Sequence, residues 1–268
     1  MMSSIPTRLR PTVLVLPMLL VASAACDIAM ADFTEKETAE WRKSYELRPG
    51  GQVEISNVNG KIDVVTGEGN TVEVVATKIA RGANTEAAKQ TLGRIEIREG
   101  ASADGVKIET RFERPGGLFG QANWQVQYRV TVPVQANLKL STINGGVEIT
   151  GVGGHINAEA TNGGIKASDI AGMIEATTTN GGVDVDLLKV AEGGARLECT
   201  NGGIHLRLPA DAAASISARV TNGGIDTGGL RLQTRGESTR RRMDGDLNGG
   251  GPRITLEGTN GGINISGR

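Results

Sequence analysis

The chain has 268 residues, of which 39 are glycine and only 3% are aromatic, and its formal net charge is −1. A charge near zero gives no support for a nucleic-acid partner, and so few aromatic side chains exclude a conventional bulky core. The many Val, Ile, Ala and Thr residues instead favour strands packed around a thin core of small side chains.

Residues 1–31 are predicted to be an export signal, because two arginines precede an apolar run that is too short to span a membrane comfortably. Two processing routes remain open. Cleavage after Ala31 fits the small residues there, whereas Ser-Ala-Ala before Cys26 resembles a bacterial lipobox that lacks its usual Leu. We expect an exported protein of the periplasm or cell surface that reaches a membrane only if Cys26 is acylated.

Residues 32–136 are predicted to form a β-rich region with one short helix at Asn84–Leu92, for which Asn84 is the N-cap. A first Asn-Gly turn occurs early in this region, followed by Lys61, and residues 114–123 are expected to be a loop. Four longer stretches alternate in character and are predicted strands: 72–80, 94–99, 106–113 and 124–132. We expect this region to cap one end of the repeats that follow.

Residues 137–268 repeat the tripeptide Asn-Gly-Gly six times, with successive spacings of 18, 18, 21, 21 and 38 residues. The last spacing is interpreted as two units with a degraded turn at Asp244-Gly245 between them. Counted from each Asn, residues at offsets −6, −4, +3 and +5 are mostly apolar, and the positions between them are mostly polar. This period of two on both sides of the turn predicts a strand, a turn and a second strand in each unit.

The sequence therefore predicts an all-β protein: a parallel β-solenoid with coils of about 18–21 residues. A meander of antiparallel hairpins is the competing interpretation, because Asn-Gly is also a strong hairpin signal. In the solenoid the Asn-Gly pairs are corners, and their stacked amides could form a hydrogen-bonded ladder. The predicted corners are Asn59-Gly60, Asn144-Gly145, Asn162-Gly163, Asn180-Gly181, Asn201-Gly202, Asn222-Gly223 and Asn260-Gly261.

The segments SNVNGKIDVVTG and VTVPVQANLKLSTINGGVEITGV, together with the later Asn-Gly units, resemble a family of exported bacterial β-solenoid proteins with an adhesin label and otherwise unknown function. The resemblance covers residues 45–268. Many members of that family have Asp after Asn-Gly, where this chain has a second Gly. A cation-binding edge inferred from those relatives is therefore doubtful in this chain, and the label itself names no ligand.

No catalytic, metal-binding or cofactor-binding motif is recognised. His155 and His205 lack partners at metal-ligand spacing and are interpreted as solvated side chains. Cys199 occupies an inward offset and is predicted to be buried, and therefore resistant to thiol reagents. The outward acids could in principle serve a polysaccharide-active enzyme, with Glu175 and Glu198 as the nearest pair. The other outward acids are Glu159 and Glu257.

Two surfaces are predicted to make contacts. Residues 234–251 break the repeat with a basic insert, interpreted either as a solvated or disordered loop or as a contact for an anionic envelope polymer or lipid. Its arginines are Arg235, Arg240, Arg241 and Arg242. The C-terminal edge is the predicted site of self-association. We expect a non-catalytic, adhesin-like scaffold that binds a polymer, a partner protein or itself, with the enzyme as the alternative.

Overall fold

The computed structural model describes residues 34–113 and 122–268. The predicted export signal with Cys26, and most of the predicted loop at 114–123, lie outside these residues. The predicted helix is confirmed as α1, Thr85–Gly93, where the Asn84 side chain accepts a hydrogen bond from the Ala87 amide as an N-cap does.

Strands make up most of the rest of the described chain. In order they are β1 Glu35–Glu46, β2 Gln52–Asn59, β3 Ile62–Gly67, β4 Thr71–Gly82, β5 Ile95–Ser102, β6 Gly105–Phe112, β7 Asn123–Pro133, β8 Asn137–Asn144, β9 Val147–Thr150, β10 Ile156–Asn162, β11 Ile165–Ile170, β12 Ile174–Asn180, β13 Val183–Leu187, β14 Ala195–Asn201, β15 Ile204–Leu208, β16 Ala214–Asn222, β17 Ile225–Asp226, β18 Leu232–Thr234, β19 Arg242–Leu247, β20 Arg253–Asn260 and β21 Ile263–Gly267.

The strands form two sheets, and each Asn-Gly corner joins a strand of one sheet to a strand of the other. Sheet A has the order β1-β4-β7-β3-β9-β11-β13-β15-β21-β17, and sheet B has the order β18-β19-β16-β20-β14-β12-β10-β8-β2-β6-β5. All strands that flank the corners pair in parallel with those of neighbouring units. The all-β prediction is confirmed, and the antiparallel meander is wrong.

Equal offsets lie over one another, as the repeat predicted. Ile156 is paired with Leu138 on one side and Ile174 on the other, and Asn162 is paired with Asn144 and Asn180. The Ile and Leu side chains in these rows are at most 3% exposed, and burying each contributes about 1.5–3 kcal/mol. Alternate residues face solvent because side chains in a strand alternate between its two faces. The inward and outward assignment is therefore confirmed.

The order of the stack differs from the order of the chain. The unit at Asn260 is inserted between the units at Asn201 and Asn222, because β20 pairs with both β14 and β16. In sheet A, β21 likewise lies between β15 and β17. The prediction that the C-terminal strand is the open end of the stack is wrong, because β15 pairs along one of its edges and β17 pairs with Ile263 and Asn264 on the other.

The basic insert is also different from the prediction. Asp244 and Gly245 lie inside β19, which pairs antiparallel with β16, so they do not form a degraded corner. The short strand β18 pairs with β19 and completes this end of sheet B. Residues 242–247 therefore form a strand and not part of a loop, whereas residues 235–241 are exposed and connect β18 to β19, as the solvated-loop interpretation expected. We call residues 232–247 the arginine hairpin.

At the other end of the stack, β2 and β3 form a complete unit around the Asn59 corner. The sheets then continue with antiparallel pairs, β5 with β6 in sheet B and β7, β4 and β1 in sheet A. The sequence did not predict β1 as a separate strand, because most of its residues are exposed and only Trp41 and Tyr45 pack against the core. The charged side chains of β1 make this long edge a poor template for another strand.

Candidate functional site

The corner asparagines form a continuous ladder along the outside of the stack. Each side-chain Nδ2 donates to the Oδ1 of the asparagine in the neighbouring unit, and the N···O distances are 2.8–2.9 Å. In stack order the ladder contains Asn59, Asn144, Asn162, Asn180, Asn201, Asn260 and Asn222. The ladder gives the same stack order as the strands do, with Asn260 between Asn201 and Asn222.

The first glycine of each corner has no room for a side chain. A Cβ atom at any of these positions would lie 1.8–2.3 Å from a backbone carbonyl oxygen of an adjacent segment. Five of them also have φ between 118° and 154°, which L side chains rarely adopt. These glycines are Gly60, Gly145, Gly163, Gly181, Gly202, Gly223 and Gly261. Close stacking of the corners therefore requires glycine at this position.

Cys199 is 3% exposed, which confirms its predicted burial. Its thiol donates to the carbonyl oxygen of Gly181 at 3.0 Å, as the hydroxyl of Thr178 donates to Gly163 at 2.7 Å. Burial raises the pKa of the Cys199 thiol above its ordinary value, because desolvation disfavours the thiolate. These contacts indicate a structural role for Cys199, in which it satisfies a corner carbonyl from inside the stack.

A row of four charged residues crosses the outer face of sheet B next to the arginine hairpin. Glu198 is the strand partner of Glu257, Glu257 of Arg219, and Arg219 of Arg242. Two acids are thus followed by two bases at the spacing of adjacent strands, about 4.8 Å. Together with Arg241 these residues line a cleft of about 460 Å³, which we call the charged cleft.

The two sides of the charged cleft pair with residues outside it. Arg196 lies beside both Glu198 and Glu257, 4.0 Å from the latter. On the other side, Asp244 lies 3.9 Å from Arg219 and 3.1 Å from Arg242. The pKa of Asp244 is lowered chiefly by a hydrogen bond from the Ser217 hydroxyl, and the two arginines lower it further. In the described structure Glu257 and Arg219 form no ion pair, although they are strand partners.

The four arginines of the basic insert are all exposed, but they have different partners. Arg235 lies 3.4 Å from Asp246, and Arg242 pairs with Asp244 as described above. Arg240 packs over the Gly224 corner, and Arg241 lines the charged cleft. Among the described residues neither Arg240 nor Arg241 has a carboxylate within 4.0 Å. The hairpin therefore presents two guanidinium groups whose charge is not matched by a neighbour in this part of the chain.

The predicted pair of Glu175 and Glu198 does not meet, because the strand partner of Glu175 is Arg196 and that of Glu198 is Thr177. Glu198 and Glu257 are brought together instead. A hydrolytic pair needs two carboxyl groups in contrasting surroundings. These two occupy equal positions on neighbouring strands, are both partly exposed and share one arginine. The described residues give no support for a catalytic pair here.

The histidines are exposed, as predicted, with His155 just before β10 and His205 on β15. Within residues 34–113 and 122–268, no group of three His, Cys, Asp or Glu side chains is placed to hold a metal ion. In the same ranges, no helix has the length and hydropathy of a membrane span. The charged cleft and the arginine hairpin are thus the candidate functional site.

From the sequence, Glu198 and Glu257 are placed among the outward acids, and Glu198 is considered only with Glu175. No role is assigned to Arg219. Glu198, Glu257 and Arg219 share offset −3, so the alignment of repeats places them in one row. Their order within that row depends on the insertion of the last unit, which the repeat spacing does not reveal. The cleft could therefore be found only from the structure.

The family model described as Toastrack DUF4097 matches residues 129–223, about a third of the chain. That family has a β-solenoid-like fold, in agreement with the parallel stack seen over the matched residues. A search of curated proteins gives no match.

Three solved structures with similarity to the chain illustrate what it resembles. A "putative cell adhesion protein" from Clostridium sporogenes is 14% identical with a TM-score of 0.46, over 87% of this chain and 100% of that one. A "putative adhesin" from Bacteroides fragilis is 8% identical with a TM-score of 0.30, over 86% and 97%. A "putative lipid binding protein" from Parabacteroides distasonis is 11% identical with a TM-score of 0.27, over 88% and 97%. TM-scores below 0.5 are too low for these structures to assign a role to this chain.

Proposed function

We propose that the protein is a non-catalytic, exported component of the bacterial envelope, in which a rigid β-solenoid-like stack holds a surface for binding a polymer or a partner protein. The supporting observation is the register of the units. Because the inward rows are buried along most of the stack and equal offsets are strand partners, the outward side chains form straight rows at fixed spacing. Such a surface is ordered before it binds, which lowers the entropy cost of binding.

The arginine hairpin is the proposed contact with anionic envelope material. It projects four guanidinium groups at one end of sheet B, and two of them are free of carboxylate neighbours among the described residues. Exposed charges attract an anionic surface over roughly one Debye length, about 10 Å at 0.1 M salt. The attraction should therefore weaken steeply as salt is added.

The test compares two fourfold variants for retention on isolated envelope fragments. The first replaces the hairpin arginines with Gln: Arg235, Arg240, Arg241 and Arg242. The control replaces exposed cations elsewhere in the described chain with Gln: Lys36, Arg81, Lys89 and Lys189. At about 20 mM salt we expect the hairpin variant to be retained several-fold less than both the control and the wild type, and at about 300 mM salt the difference should vanish. Equal retention of all three proteins at low salt would remove the hairpin from the proposed function.

Export itself is proposed from the leader sequence at residues 1–31. The mass of the mature N-terminus distinguishes the two routes, because cleavage after Ala31 leaves an unmodified chain whereas acylation at Cys26 adds lipid chains. In the second case the protein is anchored to a membrane. A mature protein that retains the whole leader would contradict both routes.

A further inference from the structure

We infer that the charged cleft binds a short peptide with a free ammonium group and a free carboxylate group, about three residues apart. This inference rests on the proposed function, because it names a ligand class for a surface of an exported binding protein. The cleft has an acidic wall of Glu198 and Glu257 and a basic wall of Arg219, Arg241 and Arg242. A ligand with opposite charges at its two ends is complementary to these two walls.

The charge balance of each wall supports this ligand. Two carboxylates and the guanidinium of Arg196 leave the acidic wall with one net negative charge. Three guanidinium groups and the carboxylate of Asp244 leave the basic wall with two net positive charges. The fold also places like charges on adjacent strands, which is unfavourable for the sheet, and Arg196 and Asp244 offset this only in part. An ammonium group beside the acids and a carboxylate beside the arginines would neutralise more of the remaining charge.

The strand spacing sets the length of the ligand. The midpoint between Glu198 and Glu257 and the midpoint between Arg219 and Arg242 are two strand spacings apart, about 10 Å. An extended peptide advances about 3.4 Å per residue, so a tripeptide spans this distance between its charged ends. The volume of the cleft, about 460 Å³, is in the range of small-molecule sites.

The border of the cleft can bind the peptide groups between the charged ends. Thr200, Thr259 and Thr221 lie on the same three adjacent strands and line the cleft next to the charged row. Their hydroxyl groups can both donate and accept hydrogen bonds, which suits amide N–H and C=O groups alike. A lipid headgroup with an amine and a phosphate has the same two charges, but it is shorter and offers no amides for this border.

The experiment measures binding of tri-alanine to the purified protein by calorimetry at about 20 mM salt. We expect tri-alanine to bind, its N-acetylated and C-amidated forms to bind at least about tenfold more weakly, and di-alanine to bind less tightly than tri-alanine. Phosphoethanolamine is measured in parallel. If it binds and tri-alanine does not, the cleft is a headgroup site and the inference is wrong. If neither binds, the inference is wrong as well.

The variants Glu257→Gln and Arg219→Gln should each weaken tri-alanine binding by about tenfold, because each removes one charged contact. The matched controls Glu159→Gln and Lys139→Gln change exposed charges on the same face of sheet B, outside the cleft, and should leave binding unchanged. Equal effects in all four variants would point to general electrostatics and contradict the inference. Because retention on envelope fragments depends on the hairpin arginines, it would survive failure of the peptide site, and the two proposals can fail separately.

Discussion

The two glycines of one corner provide a stringent test of the stacked architecture. Gly181 has φ of 152°, and a Cβ there would lie 2.3 Å from the carbonyl oxygen of Gly163. Gly182 has no such backbone constraint, and its Cβ would lie 3.5 Å from the nearest atom, which is ordinary contact. Lys61 already occupies the position of the second glycine in the Asn59 unit. We therefore expect Gly181→Ala to disrupt the corner and Gly182→Ala to be tolerated.

The magnitudes follow from these contacts. An unfavourable φ costs about 1–3 kcal/mol. Relief of the clash requires the neighbouring corner to move, which weakens the hydrogen bonds from Gly181 N–H to Asn201 and between Asn180 and Asn162, at about 1 kcal/mol each. The loss in Gly181→Ala is then about 3–5 kcal/mol. For Gly182→Ala, the lower entropy of the unfolded chain contributes a gain of about 0.4–1 kcal/mol.

Urea unfolding followed by circular dichroism measures both variants. With an m-value of about 2–3 kcal/mol/M, the midpoint of Gly181→Ala should fall by about 1–2 M, and that of Gly182→Ala should stay level or rise slightly. Gly202→Ala and Gly203→Ala repeat the comparison in the next unit. Similar midpoints for the two members of a pair would refute the close approach of successive corners, and with it the stack.

Three further predictions concern the ladder, the thiol and the rows. Asn180→Ala removes two ladder hydrogen bonds and should cost about 1–2 kcal/mol in urea unfolding. Asn180→Asp should cost more than alanine at pH 7 and less below about pH 4, where the new carboxyl group is protonated and can again donate to Asn162. An acid-independent loss would argue against amide-to-amide pairing. Native Cys199 should react with a thiol reagent far more slowly than the urea-unfolded protein, because its site is buried and its pKa is raised; rapid native labelling would contradict this. Ile174→Asp should lower the melting temperature sharply, since an unpaired charge enters the core, whereas Glu175→Ala should stay within about 0.5 kcal/mol of wild type. Equal melting temperatures would undo the inward and outward assignment.

The sequence predicted those features that depend on neighbours along the chain. The period of two identifies Ile174 as inward and Glu175 as outward, because the alternation is a local property of a strand. The N-cap at Asn84 is likewise local. The parallel pairing of successive units follows from their shared offsets around each Asn, since only in-register stacking places apolar residues over apolar residues at every offset.

The features that the sequence did not predict involve partners distant in the chain. The strand β1 has few buried residues, so no hydrophobic pattern marks it. The spacing of 38 residues between the last two corners was interpreted as two units, but it contains the arginine hairpin. Nothing in a repeat spacing states which unit lies beside which, because every unit has the same rows and can stack on any other. The predicted position of the C-terminal unit, at the end of the stack, was therefore wrong.

The inserted unit accounts for the charged cleft. If the units were stacked in chain order, Glu198 and Arg219 would be direct strand partners at offset −3. With β20 between them, Glu198 instead faces Glu257, while Arg219 faces Arg242 on its other side. The two acids are thereby neighbours, and so are the two arginines. Glu257 lies near Arg196 on one side, and Arg219 lies near Asp244 on the other. The insertion of β20 between β14 and β16 therefore separates the acids from the arginines on the outer face of sheet B.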